Sequence, residues 1–417
     1  MPDPNRAERG FHVTVQAASS SVIVVGGGPA GLTAALALAA AGVPTTLVAR
    51  RRASQDARTT ALLSGSVNAL TALGVWQGCA ADAAPLQRMR IVDDTGRLFR
   101  GTEITFDASE IGLDTFGQNI PNPALIAALE AQAERALGLI RIDADATAVV
   151  PGRDNVTVTA DLGDTLRASL VVGCDGRRSL CRTAAGIATH EHRYPQTALT
   201  FTLAHTRPHH GVSTEFHRPG GPFTLVPLPG DRSSLVHVTD TKDAATLQAL
   251  DDNALALILE QRAHSILGKF TIIGARGVFP LVMETADRIA TRRIALVGEA
   301  AHVLPPIGAQ GLNLGLRDAA TIAELAGDAV ADGRDPGAEA VLAAYDTRRK
   351  SDLRNRATAV DMLNRSLLTD FLPLQMARRV GLLALDRIAP LRQIVMREGL
   401  APGSDQPRLM QEHDSGR

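Results

Sequence analysis

Aromatic side chains are scarce in this 417-residue sequence: Phe, Trp and Tyr make up 3% of it, with a single tryptophan, Trp76. A folded interior must therefore rest on Leu, Val, Ile and Ala. Cysteine is nearly absent as well. Cys79, Cys174 and Cys181 form neither an even set nor a metal-binding spacing, which argues against structural disulfides and bound metal and for a reducing cytoplasm. Neither sign of charge prevails: 43 Lys and Arg stand against 44 Asp and Glu, a formal charge of −1. That balance leaves no electrostatic footprint for nucleic acid. The first twenty residues lack the basic start and apolar middle of a secretion signal and read as a loose tail.

What the chain does have is one long stretch without charge, "VIVVGGGPAGLTAALALAAAGVPTTLVARR", residues 22–51, in which Arg50 is the first ionised side chain. Its length would suit a membrane helix, for which about 20 apolar residues suffice. Its composition does not. "VIVV" is a β-branched run of strand type, "GGGPAG" breaks a helix interior, and "LTAALALAAAG" is rich in helix formers and ends on a capping glycine. With "PTTLVA" behind it, the stretch reads as strand, glycine turn, helix, strand.

The turn spells Gly26-x-Gly28-x-x-Gly31. In this motif the glycines allow a tight turn, a close approach to a pyrophosphate, and helix–strand packing, while the helix N-terminus offers free amides to the phosphates. An acid that binds ribose normally follows roughly 20 residues on. Here that place holds Ala49, with Arg50, Arg51 and Arg52 after it. Either these arginines form a solvated turn, or Arg50 or a backbone group takes over the ribose contact.

Two distant segments decide which dinucleotide is meant. "LVVGCDGRRSLCRTAAGI" is a strand entering Asp175-Gly176, with Ser179 and Arg182 following. "RIALVGEAAHVLPPIGAQGLNLGLRDAATIAEL" is a strand, then Gly298-Glu299, a Pro- and Gly-rich loop, and a helix from about Gly311. GxGxxG, DGxxSxxR and the GD-type motif before "PPxGxxGLNLGLRD" occur in that order and span most of residues 21–365. In this the chain resembles the flavin-dependent aromatic hydroxylases of the p-hydroxybenzoate hydroxylase fold. "DARTTALLSGSVNALTALGVW" and "YDTRRKSDLRNRATAVDMLNRSL" are similar to the ubiquinone-biosynthesis hydroxylases, which act on polyprenylated phenols.

The resemblance implies an α/β (α+β) fold: a Rossmann-like FAD-binding domain from residues 21–76, 120–193 and 276–365, and an interleaved antiparallel-sheet substrate domain from 77–119 and 194–275. It implies FAD held by Gly26, Gly28 and Gly31, by Arg58 and Gln118, and by Asp175, with Arg182 bracing the DG loop. Glu299 stands where the family typically has an aspartate for the ribityl hydroxyls, and keeps the acceptor with one more methylene. Gly311 and the amides of Leu312 and Asn313 would face the reduced flavin, and Pro306 and Gly308 would shape the loop between flavin and substrate. The implied reaction uses NAD(P)H and O2, passes through a flavin C4a-hydroperoxide, and hydroxylates the ring of a polyprenylated phenol in an apolar pocket. A hydroxylase of a soluble aromatic compound, a geranylgeranyl-reductase-like flavoprotein and a low-activity scaffold of a ubiquinone-synthesis complex stay open. A halogenase does not, because WxWxIP is missing.

"STEFHRPGGPFTLVPLPGDRSSLVHVT" alternates in short runs broken by Pro and Gly, which predicts antiparallel strands; Phe216, Phe223, Leu225 and Pro227 either line the pocket wall or pack between sheet and helices. His302 is expected to be structural and bonded to backbone. His217 and His237 are within the same sheet, and neither is favoured as a base. Residues 366–400 mix apolar positions with Arg378, Arg379, Arg387, Arg392 and Arg397. They fit either a segment lying on an anionic membrane surface, at the inner face, or helices packed on the flavin domain. Residues 401–417 read as a second loose tail.

Overall fold

The computed structural model describes residues 21–51, 56, 58–96, 103–306, 310–368, 381, 384–385, 387–400 and 406–412. Val22–Val25 is a strand whose four side chains are all buried, the pattern of a strand covered on both faces. It lies inside a six-stranded sheet of spatial order Ala290–Thr291, Ile294–Leu296, Leu170–Gly173, Val22–Val25, Thr45–Val48, Leu139–Ile142. All neighbours pair in parallel except the short edge strand Ala290–Thr291. The helix Pro29–Ala40 opens with proline in its first turn, where no amide is missed, and gives way to Gly42 at φ +75°. Every residue from Gly31 to Leu38 is buried. The uncharged stretch is uncharged because it crosses the middle of a domain, flanked by the helices Asn122–Ala133 and Gln310–Ala331.

The second sheet has eight strands, in the order His302–Val303, Phe270–Ala286, Thr189–His205, Arg232–Asp240, Gly221–Leu228, Val212–Arg218, Arg88–Asp93, Ile104–Asp107. Its pairs are antiparallel, save Val212–Arg218 with Arg88–Asp93. Two of its strands, Thr189–His205 and Phe270–Ala286, are 17 residues long and run through positions 193 and 276 without a break. The boundaries drawn there from sequence thus fall inside strands. One face of this sheet packs under the helices Thr241–Ala249 and Asp252–Arg262. A third sheet, Thr59–Leu63, Gly117–Pro121 and Ala84–Pro85, bridges the two regions: Thr59 Oγ1 donates to Ser234 Oγ at 2.8 Å, and Asn119 Nδ2 to Pro227 O at 2.8 Å.

Two expectations for the C-terminus need correction. The helix Ala389–Leu400 packs at the Ile104–Asp107 edge of the eight-stranded sheet and not on the six-stranded sheet with its helices: Met396 is buried with Ile104, Phe106 and Phe116, and Arg392 pairs with Glu110 at 2.6 Å. The rest of that segment is only partly described, and Arg378 and Arg379 lie outside the described residues. The second tail contains an anchored piece. Met410 is buried beside Gly65, and Arg408 N donates to Glu324 at 2.7 Å. No helix among the described residues is long and apolar enough to cross a membrane.

All three cysteines carry free thiols. Burial pushes the Cys79 thiol up to about 11, and raises Cys174 and Cys181 well above the ordinary value. Since the thiolate is the reactive form, the folded protein is expected to resist alkylation by iodoacetamide at pH 8, with labelling appearing only in denaturant. Mass spectrometry reads the difference directly.

Candidate active site

A cavity of about 510 Å³ draws its walls from the glycine turn, the loop at Gly176, the turn at Gly298 with the helix that follows, and the eight-stranded sheet. Its first wall is the glycine turn. Gly26 sits at φ +112°, and a Cβ there would meet Cys174 O at 2.4 Å; a Cβ on Gly31 would meet Gly26 O at 2.0 Å. These two glycines fit the turn against its neighbours. Gly28 is different. Its φ of −72° suits any residue, and a Cβ on it would have nothing within 4 Å. Gly28 borders the cavity, so its missing side chain leaves room for a ligand and for no part of the protein.

The second wall comes from the Asp175 loop, though not from Asp175 itself. The Asp175 carboxylate accepts from Ser179 Oγ at 2.6 Å and from Cys181 N at 3.0 Å, which ties it to the helix Leu180–Ala185. It does not line the cavity; Cys174 and Gly176 do, and a Cβ on Gly176 would again meet nothing within 4 Å. Arg182 joins this loop to the third wall, donating to Arg177 O at 2.7 Å and to Ala300 O at 3.0 Å.

The third wall is the turn Gly298–Ala300 and the start of the helix Gln310–Ala331. Glu299 is exposed to the cavity, and Gly311, Leu312 and Pro306 line it; Gly308 lies outside the described residues. Small residues bring these pieces close: a Cβ on Gly315 would stand 3.2 Å from Gly298 Cα and 3.4 Å from Ala30 Cβ. Asn313 contributes by bracing and not by lining. Its side chain accepts from Leu63 N at 2.8 Å and Ser66 Oγ at 2.7 Å and donates to Ala61 O at 2.8 Å.

His302 bonds to a carboxylate where a backbone partner was expected. Its Nε2 lies 2.6 Å from Asp318 Oδ2, which also accepts from Gly298 N at 3.0 Å. Asp318 Oδ1 accepts from Arg349 Nε at 2.7 Å. Burial alone would push the Asp318 carboxyl up, but His302 and Arg349 beside it more than reverse this and hold it below the usual carboxylate range. A fully buried anion thus fixes the Glu299 turn onto the helix.

Two of the candidate ligands fall elsewhere. Arg50 pairs with Asp145 at 3.0 Å and with Asp161, and does not border the cavity. The two carboxylates, absent from any local reading of "VARRR", turn it away. Arg50→Ala is therefore expected to leave FAD affinity within about twofold in an isothermal titration. Gln118 also points away: strand side chains alternate, and its neighbour Asn119 lines the cavity together with Asn122. Arg58 does line it, paired with Asp56 at 2.7 Å and stacked 5.0 Å from the centre of the Phe279 ring.

The floor is the eight-stranded sheet, and of the two readings left open for its large apolar residues the structure takes packing against helices. Phe216, Phe223 and Leu225 are buried under the helices, and Pro227 does not border the cavity. Two rows of cross-strand neighbours face it instead: Thr200, Val236, Thr224 and Glu215, then Thr202, Ser234, Val226 and Ser213. In a strand a shift of one residue exchanges the faces. The floor is accordingly rich in hydroxyls, and the apolar contacts come from Leu86, Met89, Ile126, Val226, Val236 and Leu304.

A glycine turn, two further loops and a helix N-terminus around one cavity define a dinucleotide-binding protein. The FAD binding domain family model matches residues 19–359, and the chain belongs to that family. It is 35% identical to the ubiquinone hydroxylase UbiL of Rhodospirillum rubrum, over 86% of this chain and 83% of the relative. With the 3-demethoxyubiquinol 3-hydroxylase of Escherichia coli it shares 29% identity, over 83% of this chain and 87% of the relative. The crystal structure of p-nitrophenol 4-monooxygenase from Pseudomonas putida superposes with a TM-score of 0.74 over 92% of this chain and 98% of that one, at 20% identity, which is a likeness of fold. The chain is an FAD-dependent aromatic hydroxylase.

Proposed function

We propose that this hydroxylase acts in ubiquinone biosynthesis on the ring of a polyprenylated phenol, with NAD(P)H as reductant and O2 as oxygen source. The observation that carries the reading is one cavity with three open glycines, Gly28, Gly176 and Gly311, at its walls and a hydroxyl-bearing sheet as its floor. Bound FAD would supply the redox chemistry, taking reducing equivalents from NAD(P)H and activating O2 for transfer of one oxygen atom to the ring.

The chain's own residues hold and orient. Backbone at Gly28 and Gly176 would approach the pyrophosphate, and Glu299 would accept from ribityl hydroxyls. Gln310, Gly311 and Leu312 at the start of their helix present amides and the positive end of its dipole, favouring negative charge on the nearby end of the ligand. Asn313 keeps that helix end in register with Leu63 and Ser66. Leu304 and Pro306 cover the cavity beside the floor and keep water from the reacting atoms.

The test is oxygen labelling. With FAD, NADH and ¹⁸O2, a 4-alkylphenol is expected to gain one labelled oxygen per turnover. A product without the label, or a substrate reduced at a side-chain double bond, contradicts the reading.

A further inference from the structure

The floor carries one carboxylate that the reaction as described leaves unused. Glu215 lies on the sixth strand of the sheet, in the row with Thr224, Val236 and Thr200, and its side chain is 19% exposed, toward the cavity that it lines. His217, two residues on and itself buried, holds Glu215 Oε1 through Nε2 at 2.8 Å, and Thr224 Oγ1 donates to Oε2 at 3.2 Å. A carboxylate has room for about four hydrogen bonds. Two of its sites thus remain open to a cavity occupant.

Among the described residues, His217 is the one basic side chain bonded to it. Among the described lining residues Arg58 is the one Arg or Lys, and it is already paired with Asp56. The ring that Arg58 stacks on, Phe279, belongs to the second strand of the sheet, four strands away from Glu215, or about 19 Å at the usual strand spacing. Burial pushes the Glu215 carboxyl up, but His217 and Thr224 outweigh it and keep the group below its ordinary value, so it stays ionised at neutral pH.

From this we infer that Glu215, positioned by His217 and Thr224, is the substrate-selecting group: it accepts a hydrogen bond from a ring hydroxyl and rejects rings that carry an acid. The inference rests on the hydroxylase reading and narrows its substrate class to uncharged phenols. A phenol O–H gives the carboxylate a further donor beside His217 and Thr224. A methyl ether offers none, and a ring carboxylate brings a second carboxylate toward Glu215, where none of the described lining residues beside it is a Lys or Arg. A site built to pair a hydroxyl discriminates strongly against analogues lacking it, because the buried acceptor is then left unmatched.

The experiment measures binding and not turnover. FAD-loaded wild type is titrated with 4-heptylphenol, its methyl ether and 4-hydroxybenzoate, following the flavin absorbance change and, in parallel, calorimetry. The phenol is expected to bind at least about tenfold tighter than the ether, with 4-hydroxybenzoate weaker still. In Glu215→Gln, which keeps the shape and removes the charge, 4-hydroxybenzoate is expected to gain about tenfold on the phenol. In Glu215→Leu the phenol should lose its advantage over the ether. Wild type that binds the acid as tightly as the phenol overturns the inference whatever the variants do, as do variants that keep the wild-type ranking. A wild-type chain that takes up no FAD overturns the hydroxylase reading as well; FAD uptake with an unchanged ranking sinks this inference alone.

Discussion

Gly28→Val is expected to yield a folded protein that has lost FAD. The backbone at Gly28, with φ −72° and ψ 174°, is ordinary for valine, and the new side chain meets no protein atom within 4 Å at its Cβ. Its methyls would occupy the place where the cavity needs bare backbone. FAD affinity should fall by about a hundredfold, roughly 2.7 kcal/mol, while the melting temperature of the FAD-free protein stays near that of wild type. Gly31→Ala should fail in the opposite way. Its Cβ would press on Gly26 O at 2.0 Å, so the FAD-free protein itself should lose about 1–3 kcal/mol of stability. Calorimetric titration and thermal unfolding of both variants separate the glycine that serves a ligand from the one that serves the fold.

Asp318→Asn should be the most destabilising single change at the site. The carboxylate is completely buried, and its partners His302 and Arg349 are nearly so, with side chains 2% and 3% exposed. Removing one member of such a set leaves charge without a counterpart and costs about 3–5 kcal/mol. Urea unfolding at pH 7 measures this. The pH dependence carries a sign. Because the folded-state carboxyl lies below the ordinary carboxylate value, its contribution is present above the unfolded value and is lost as pH falls through the folded one. The gap between wild type and Asp318→Asn should hold steady above about pH 5 and narrow in stronger acid. The variant should also bind FAD more weakly, since Gly298 N and the Glu299 turn lose their anchor.

Much of this was legible in the sequence, for identifiable reasons. Gly26, Gly28 and Gly31 are a local pattern, because turn geometry and close packing are local requirements, and the strand–turn–helix around them could be read from composition alone. Glu299, Gly311 and Leu312 were implied by the family resemblance that the order of the motifs carries, and they line the cavity. The residues that were misread depend on partners the sequence does not announce. Arg50 is claimed by Asp145 and Asp161, 95 and 111 residues away, and His302 by an aspartate whose second partner, Arg349, lies 31 residues further on. Asp175 is a case of local competition: Ser179 and the Cys181 amide reach its carboxylate first.

The phase of the sheet was left open. Large apolar side chains fitted a substrate wall or a helix contact equally, and Phe216, Phe223 and Leu225 are where two helices bury their own apolar faces. A signal for the right phase was there. Thr200, Thr202, Ser213, Glu215, Thr224 and Ser234 alternate with the apolar set, and a row of hydroxyls around a carboxylate makes little sense under a helix.

The central claim is that three loops, far apart in sequence, close on one molecule of FAD. Backbone hydrogen exchange with and without FAD tests it directly. Addition of one equivalent of FAD should slow exchange together in residues 26–31, 174–176 and 298–312, with a stoichiometry of one per chain. Protection confined to the first segment, or lying mainly outside all three, would contradict the account.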